Sequence, residues 1–276
     1  MEMKLCAIYN VWDDYDWLMQ SVDRIAPLVD GIIVIWSEWS NYGEYHKPEP
    51  GKADTLCKWF QLEPDPQLDA RTNETAKRNY GLDKARELGY THFLTMDCDE
   101  MYDPQEFLKE KKRFEDPNLQ GLVCRVKCYF GSPTLTIGYD VTLVPFIHKL
   151  TPQIRHEFNK NYPFAWTDID KIPFTPKKRI RIDPTRSLNI NSGVEWSEIT
   201  MHHYSWCRKD PQKKIRNSTA RANIERSTIV QDLANAKAGY YCQFYGKTLL
   251  EAPNVFGLYV TSVQPHIPAA GEANVD

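Results

Sequence analysis

Two short apolar runs on either side of one amphipathic stretch constrain this chain more than any other feature. "KLCAIYN", residues 4–10, and "GIIVIW", residues 31–36, flank "DYDWLMQSVDRIAPLV", in which Trp17, Leu18, Val22, Ile25 and Val29 recur at helical spacing. Strand, helix and strand in that order predict a βαβ unit, hence parallel strands and a right-handed crossover. With 276 residues and 42% hydrophobic content, the chain can bury a substantial core around such a sheet. It fits one large α/β domain, or one domain with an appended subdomain.

The alternation continues after an interruption. Residues 37–66 carry Gly, Pro and clustered aromatics, and read as a long loop with at most a short helix around Leu56 to Phe60. "RTNETAKRNYGLDKARELGY" reads as a helix with Thr72 at its N-cap and Gly89 at its end. "THFLTMD" is the next buried strand, and Asp103 followed by Pro104 opens another helix. Beyond residue 120, "GLVCRVKCYF", "LTIG" and "VTLVPFIHKL" read as strands without helix-length spacers, so the sheet is expected to become mixed. "RIRI" and "ITMHHYSW" read as further strands. Asp210 and Pro211 then open one long basic helix running to about Ala238. The expected division is a main domain over 1–206, with halves 1–120 and 121–206, an extension over 207–265 and a disordered tail over 266–276.

The chemistry concentrates in "FLTMDCDEMYD", which puts Asp97, Asp99, Glu100 and Asp103 within one strand end. Crowded carboxylates repel unless a cation sits among them. Ligands of open α/β sheets bind outside the carboxyl ends of the strands. Period-two alternation would set Asp97 and Asp99 on one side, converging on a hard divalent ion, Mg²⁺ or Mn²⁺. The competing explanation is helix capping, which suits Asp103 but not the other two.

The βαβ start, then "ETAKRNYGLDKARELGYTHFLTMDCDE", then "MHHYSW" resembles the GT-A glycosyltransferases, especially family-2-like enzymes with a D-x-D motif and an upstream Arg-Asn pair. The resemblance covers roughly residues 3 to 206. It implies a Rossmann-like nucleotide-sugar-binding fold with a mixed central sheet and a C-terminal helical extension. It further implies a nucleotide-sugar donor whose diphosphate is bound through the metal. Asp99 would ligate that metal, Asp97 would approach the donor ribose or the metal shell, and Arg78 and Asn79 would line the donor site. His203 matches the late histidine that completes the metal shell in such enzymes; the competing place for it is the apolar face it shares with Ile199 and Met201. For Arg78 the competing role is an ion pair with Glu74 one turn away. The chain departs from the family in running from its second strand into "SEWSNYGEYHKPEPG" where an acidic, Gly-rich turn grips the nucleoside. A uridine donor is expected, with Asn10 and Trp12 contributing. An inverting enzyme needs a carboxylate near the acceptor hydroxyl, and Asp168 or Asp170 is the expected general base.

Charge bears on the acceptor. The chain carries −3 overall, yet between Lys171 and Arg226 there are 13 Lys or Arg against five Asp or Glu, a local balance of +8. Lys213, Lys214 and Arg216 are the candidate acceptor-binding residues. Hydroxymethylated bases in DNA are one candidate acceptor for such a surface; a glycan, lipid-linked or polyol-phosphate acceptor is comparably compatible. A nucleotidyltransferase would also use paired carboxylates, but "AIYNVWDDYD" lacks its Gly- and Lys/Arg-rich loop. A non-catalytic carbohydrate- or nucleic-acid-binding module would leave the convergent acids unexplained. No run reaches membrane-spanning length, no secretory leader is evident, and the seven cysteines show no paired C-x-x-C spacing. A cytoplasmic protein with reduced thiols is expected.

Overall fold

In the computed structural model, residues 2–47, 56–158, 181–190, 192–218 and 226–259 are described. The chain opens with β1 (Leu5–Val11), α1 (Tyr15–Ile25) and β2 (Gly31–Trp36), followed by β3 (Cys57–Gln61), α2 (Ala70–Glu87) and β4 (His92–Asp97). These four strands are parallel, in the order β3-β2-β1-β4. The expected helix at 56–60 is thus a strand. Cys57 and four following residues pair with β2, so a free parallel edge outweighs the local helical reading.

Period-two alternation in β1 divides the core. Leu5, Ala7, Tyr9 and Val11 face the layer that contains Trp17, Leu18, Val22 and Ile25 of α1, while Cys6 and Ile8 face Leu82 and Ala85 of α2. Both faces of the sheet are therefore covered, as parallel strands require. Gly81 permits the close approach of α2, since a Cβ there would lie 2.5 Å from Ile8 Cγ2. That contact fixes the neighbouring turn bearing Lys77 and Arg78 against the strand ends.

After β4 come β5 (Glu100–Met101), α3 (Pro104–Lys111), β6 (Gly121–Phe130), β7 (Ser132–Lys149), β8 (Arg181–Ile182) and β9 (Val194–Trp206). β7 is antiparallel to both β4 and β6, which makes the sheet mixed. The two strands read at "LTIG" and "VTLVPFIHKL" are one, β7, which runs through the left-handed Gly138 and several register shifts. Asp103 caps α3 as expected, accepting from Gln105 N at 2.9 Å and Glu106 N at 3.0 Å. For α2 the cap is Asp69, not Thr72: its carboxylate accepts from Arg71 N, Thr72 N and the Thr72 hydroxyl, starting the helix earlier.

The basic segment begins with α4 (Pro211–Asn217), capped by Asp210. It is not one helix to Ala238, because Ser218 is extended at φ −70° and ψ 136° and α5 (Arg226–Ala234) is separate. Leu250–Glu251 pairs antiparallel with β7, so the extension joins the main sheet. The expected disordered tail, 266–276, lies outside the described residues. All seven cysteines are free and buried. Among the described residues, no helix is long and apolar enough to cross a membrane.

Candidate active site at the ends of β1 and β4

β1 lies between β2 and β4, so the chain's connections diverge from it in opposite directions. A crevice opens at the carboxyl ends of such strands. Here it is a cavity of about 220 Å³, lined among others by Asn10, Trp12, Asp97, Asp99, Arg208 and Lys214.

The alternation expected of Asp97 and Asp99 stops at Asp97. The strand ends there, Cys98 and Asp99 form a turn, and Glu100 begins β5. The two aspartates consequently have different partners. Asp97 receives Arg186 Nη2 at 2.6 Å on one oxygen and Arg78 Nη2 at 3.3 Å on the other. Burial alone would raise its pKa, but the Arg186 and Arg78 guanidiniums outweigh that and bring it down to about 2. Arg186 also clamps Glu100, which is fully buried.

Asp99, only 3% exposed, takes Arg208 Nη2 at 2.7 Å and Lys214 Nζ at 3.4 Å on Oδ2. Its Oδ1 faces His203 Nε2 at 3.5 Å. The backbone fixes this arrangement: Glu100 pairs with His203 across β5 and β9, and Tyr204 N donates to the Asp99 carbonyl at 2.8 Å. Burial opposes charge on His203, yet the Asp99 carboxylate and its hydrogen bond raise the imidazole pKa to about 10. The same neighbours, led by Lys214, hold Asp99 well below the usual carboxylate range against the opposing effect of burial.

The cation that the crowded acids demand is therefore supplied in large part by the chain itself, through Arg78, Arg186, Arg208 and Lys214. A divalent ion has a narrower place than expected. One ligand atom each from Asp99, Glu100 and His203 lie within 4.8 Å of one another, and Asp97 is not in that group. Asp99 Oδ1 and His203 Nε2, facing each other at 3.5 Å, would fit two positions of one coordination shell, with the ion displacing the imidazole proton that Asp99 otherwise holds in place. Glu100 is already held by Arg186.

The other expected residues divide. Asn10 and Trp12 line the crevice, and both polar atoms of the Asn10 amide are buried with no partner among the described residues. Such a group calls for a ligand or water. Arg78 does not itself line the crevice; it makes the ion pair weighed for it with Glu74, at 2.8 Å, and also contacts Asp97 at 3.3 Å, and both of those acids line the crevice. Asn79 does not line the crevice; its amide donates to His156 O at 2.9 Å and accepts from His156 N at 2.8 Å. Asp168 and Asp170 lie outside the described residues.

Lys213, Lys214 and Arg216 do not form an open basic face. Lys214 is in the crevice. Lys213 Nζ sits 4.5 Å over the Trp12 ring and 3.0 Å from His46 Nδ1, and Arg216 pairs with Glu44 at 3.1 Å. The α4 segment thus packs onto the acidic edge that sequence spacing sets far from it.

Several site residues have no local sequence signal. Arg186 and Arg208 meet acids roughly a hundred positions upstream. Asp14 stands where α1 should have its cap, yet it makes no capping bond; it adopts left-handed φ 65° and pairs with Arg208. Burial, joined by Asp13 and Asp99, raises its pKa to about 6 against the pull of Arg208. Lys77 is buried behind the crevice, bonding Val11 O at 2.6 Å and Ser37 Oγ at 2.9 Å.

No protein-family model matches the chain, and no curated protein matches it in sequence. Among solved structures it is similar to S. aureus TarS, at 15% identity and a TM-score of 0.40, with 84% of this chain and 42% of that chain covered. The match to S. aureus TarS 1–349 in complex with UDP has the same identity and TM-score and covers 70% of that chain. Mannose-1-phosphate geranyltransferase from Thermus thermophilus is more distant, at 13% identity, a TM-score of 0.29 and coverage of 48% and 44%. The chain spans less than half the length of the full TarS chain, and similarity at this level transfers no residue roles.

Proposed function

We propose that this chain is a glycosyltransferase that takes a sugar from a nucleotide-sugar donor, a UDP-sugar, and delivers it to an acceptor hydroxyl. The observation that carries this reading is the setting of Asp99. It is a buried carboxylate in the crevice between β1 and β4, with Arg208 and Lys214 on one oxygen and His203 on the other.

A donor diphosphate lying against this edge meets Lys214 and Arg208, which stabilise the negative charge that builds as the anomeric bond breaks. Asp99 and His203 are the residues that would hold Mn²⁺ or Mg²⁺, and such an ion supplies further charge neutralisation on the leaving diphosphate. The partnerless Asn10 amide offers its two N–H donors and its carbonyl oxygen to a base or ribose, and Trp12 offers a ring. Arg186 and Arg78 keep Asp97 ionised and in place.

DNA carrying hydroxymethylated bases is the less favoured acceptor. Lys213 and Arg216, counted toward a phosphate-tracking surface, are engaged with His46 and Glu44. The test is calorimetric titration of UDP into the protein with and without Mn²⁺, followed by assay of UDP release from a panel of UDP-sugars. UDP binding strengthened by Mn²⁺, with release from at least one donor, is expected. No UDP binding under either condition would sink the reading.

A further inference from the structure

A second cavity, of about 210 Å³, adjoins the crevice. Asp13 and Asp14 line both. Its remaining lining includes the aromatic groups Tyr15, Trp17, His46 and Tyr259, with Tyr259 69% exposed at the rim.

We infer that this second cavity receives the acceptor and that the acceptor is a neutral polyhydroxylated compound, a saccharide, presenting its hydroxyl to Asp13 in the shared wall. The inference rests on the glycosyltransferase reading and adds the acceptor's place and class.

Charge decides the class. Asp13, Asp14, Asp16 and Asp210 line the cavity against Lys209 and Lys213. Both lysines are occupied, Lys209 with Asp16 at 2.7 Å and Lys213 with His46 at 3.0 Å and Asp13 at 3.7 Å. A phosphate-bearing acceptor would meet four carboxylates against two lysines that are already paired, whereas hydroxyl groups can donate to carboxylates. Aromatic side chains provide apolar area with polar tips, which suits a ring that alternates C–H and O–H surfaces. The volume is below the ~300–1,000 Å³ of drug-sized pockets, so it suits one small unit, not an extended chain.

The placement also gives a balanced transfer step. The acceptor oxygen bonds to the anomeric carbon and its proton passes to the Asp13 carboxylate. The bond from that carbon to the diphosphate oxygen breaks, and its electron pair leaves on the diphosphate beside Lys214 and Arg208.

Saturation-transfer NMR on the UDP-loaded full chain tests this with methyl glucoside and lactose as neutral probes. A hydroxymethylcytosine duplex and a ribitol-phosphate oligomer serve as polyanions, read by binding titration. Contact with a neutral saccharide is expected, weakened by about tenfold in Tyr259→Ala while UDP affinity stays within about twofold. Asp13→Asn should lower transfer by ~10²-fold or more with UDP still bound. The inference fails if neither saccharide makes contact, if Tyr259→Ala changes nothing, or if a polyanion binds in preference. UDP binding in the unaltered chain separates these failures from failure of the glycosyltransferase reading itself.

Discussion

Arg186 Nη2 lies 2.6 Å from Asp97 Oδ2, joining the end of β4 to a residue 89 positions later. The same guanidinium holds Glu100, and Arg186 is only 3% exposed. Asp97 keeps 37% of its side chain exposed, but Arg186 and Glu100 are a buried pair, and removing one partner of such a pair leaves the other charge uncompensated, at a cost of about 3–5 kcal/mol. Arg186→Gln should therefore shift the urea midpoint sharply downward. A change below about 1 kcal/mol, the range of exposed pairs, would show that water compensates the two carboxylates.

Lys214 meets the same acidic edge from α4 and remains partly open, with 20% of its side chain exposed. Lys214→Met should weaken UDP binding by about tenfold, one charge-assisted contact, and should also lower thermal stability, because the buried Asp99 loses one of the cations that hold it ionised. If UDP affinity is retained in the variant, Lys214 serves Asp99 alone and not the diphosphate.

These two residues mark the limit of what the sequence discloses. The βαβ start is legible because hydrophobic periods of two and 3.6 are local, and each run corresponds to an observed element. Asp103 and Pro104 are equally plain, since a cap and its helix lie within four residues. Strand β3 escapes a local reading because it depends on the edge of β2, which lies about twenty residues upstream. At the site, Asn10 and Asp97 stand at the ends of β1 and β4 and Trp12 just beyond β1, whereas Asp99 leaves the strand's alternation in the turn that follows it. Their counter-charges Arg186, Arg208 and Lys214 arrive from distant segments, and no spacing rule relates them to the acids they neutralise.

Asp103 gives a control within the acidic run. Its carboxylate accepts two backbone N–H groups at the start of α3 and takes no part in the crevice. Asp103→Ala should cost ~1 kcal/mol of stability, the usual value of an N-cap, with UDP affinity unchanged. Loss of UDP binding in a folded Asp103→Ala protein would place this acid in the site.

Lys77 provides the pH test. Burial lowers its pKa from 10.5 to about 7, only partly offset by Glu63 and other negative groups, while its ammonium bonds Val11 O and Ser37 Oγ. Between pH 7 and 10.5 the unfolded chain holds a proton on this lysine that the folded chain has released. Stability contributed through Lys77 therefore rises with pH across that window, is flat below it and is complete above it. Lys77→Met removes the slope, and contributions common to both proteins cancel in the difference. Denaturant titrations at about pH 7, 8, 9 and 10 should show the unaltered chain gaining on Lys77→Met by on the order of 1 kcal/mol per pH unit, as linkage requires for one proton. A difference constant across the series would mean that Lys77 stays protonated in the fold, held by its two oxygen acceptors at the ends of β1 and β2.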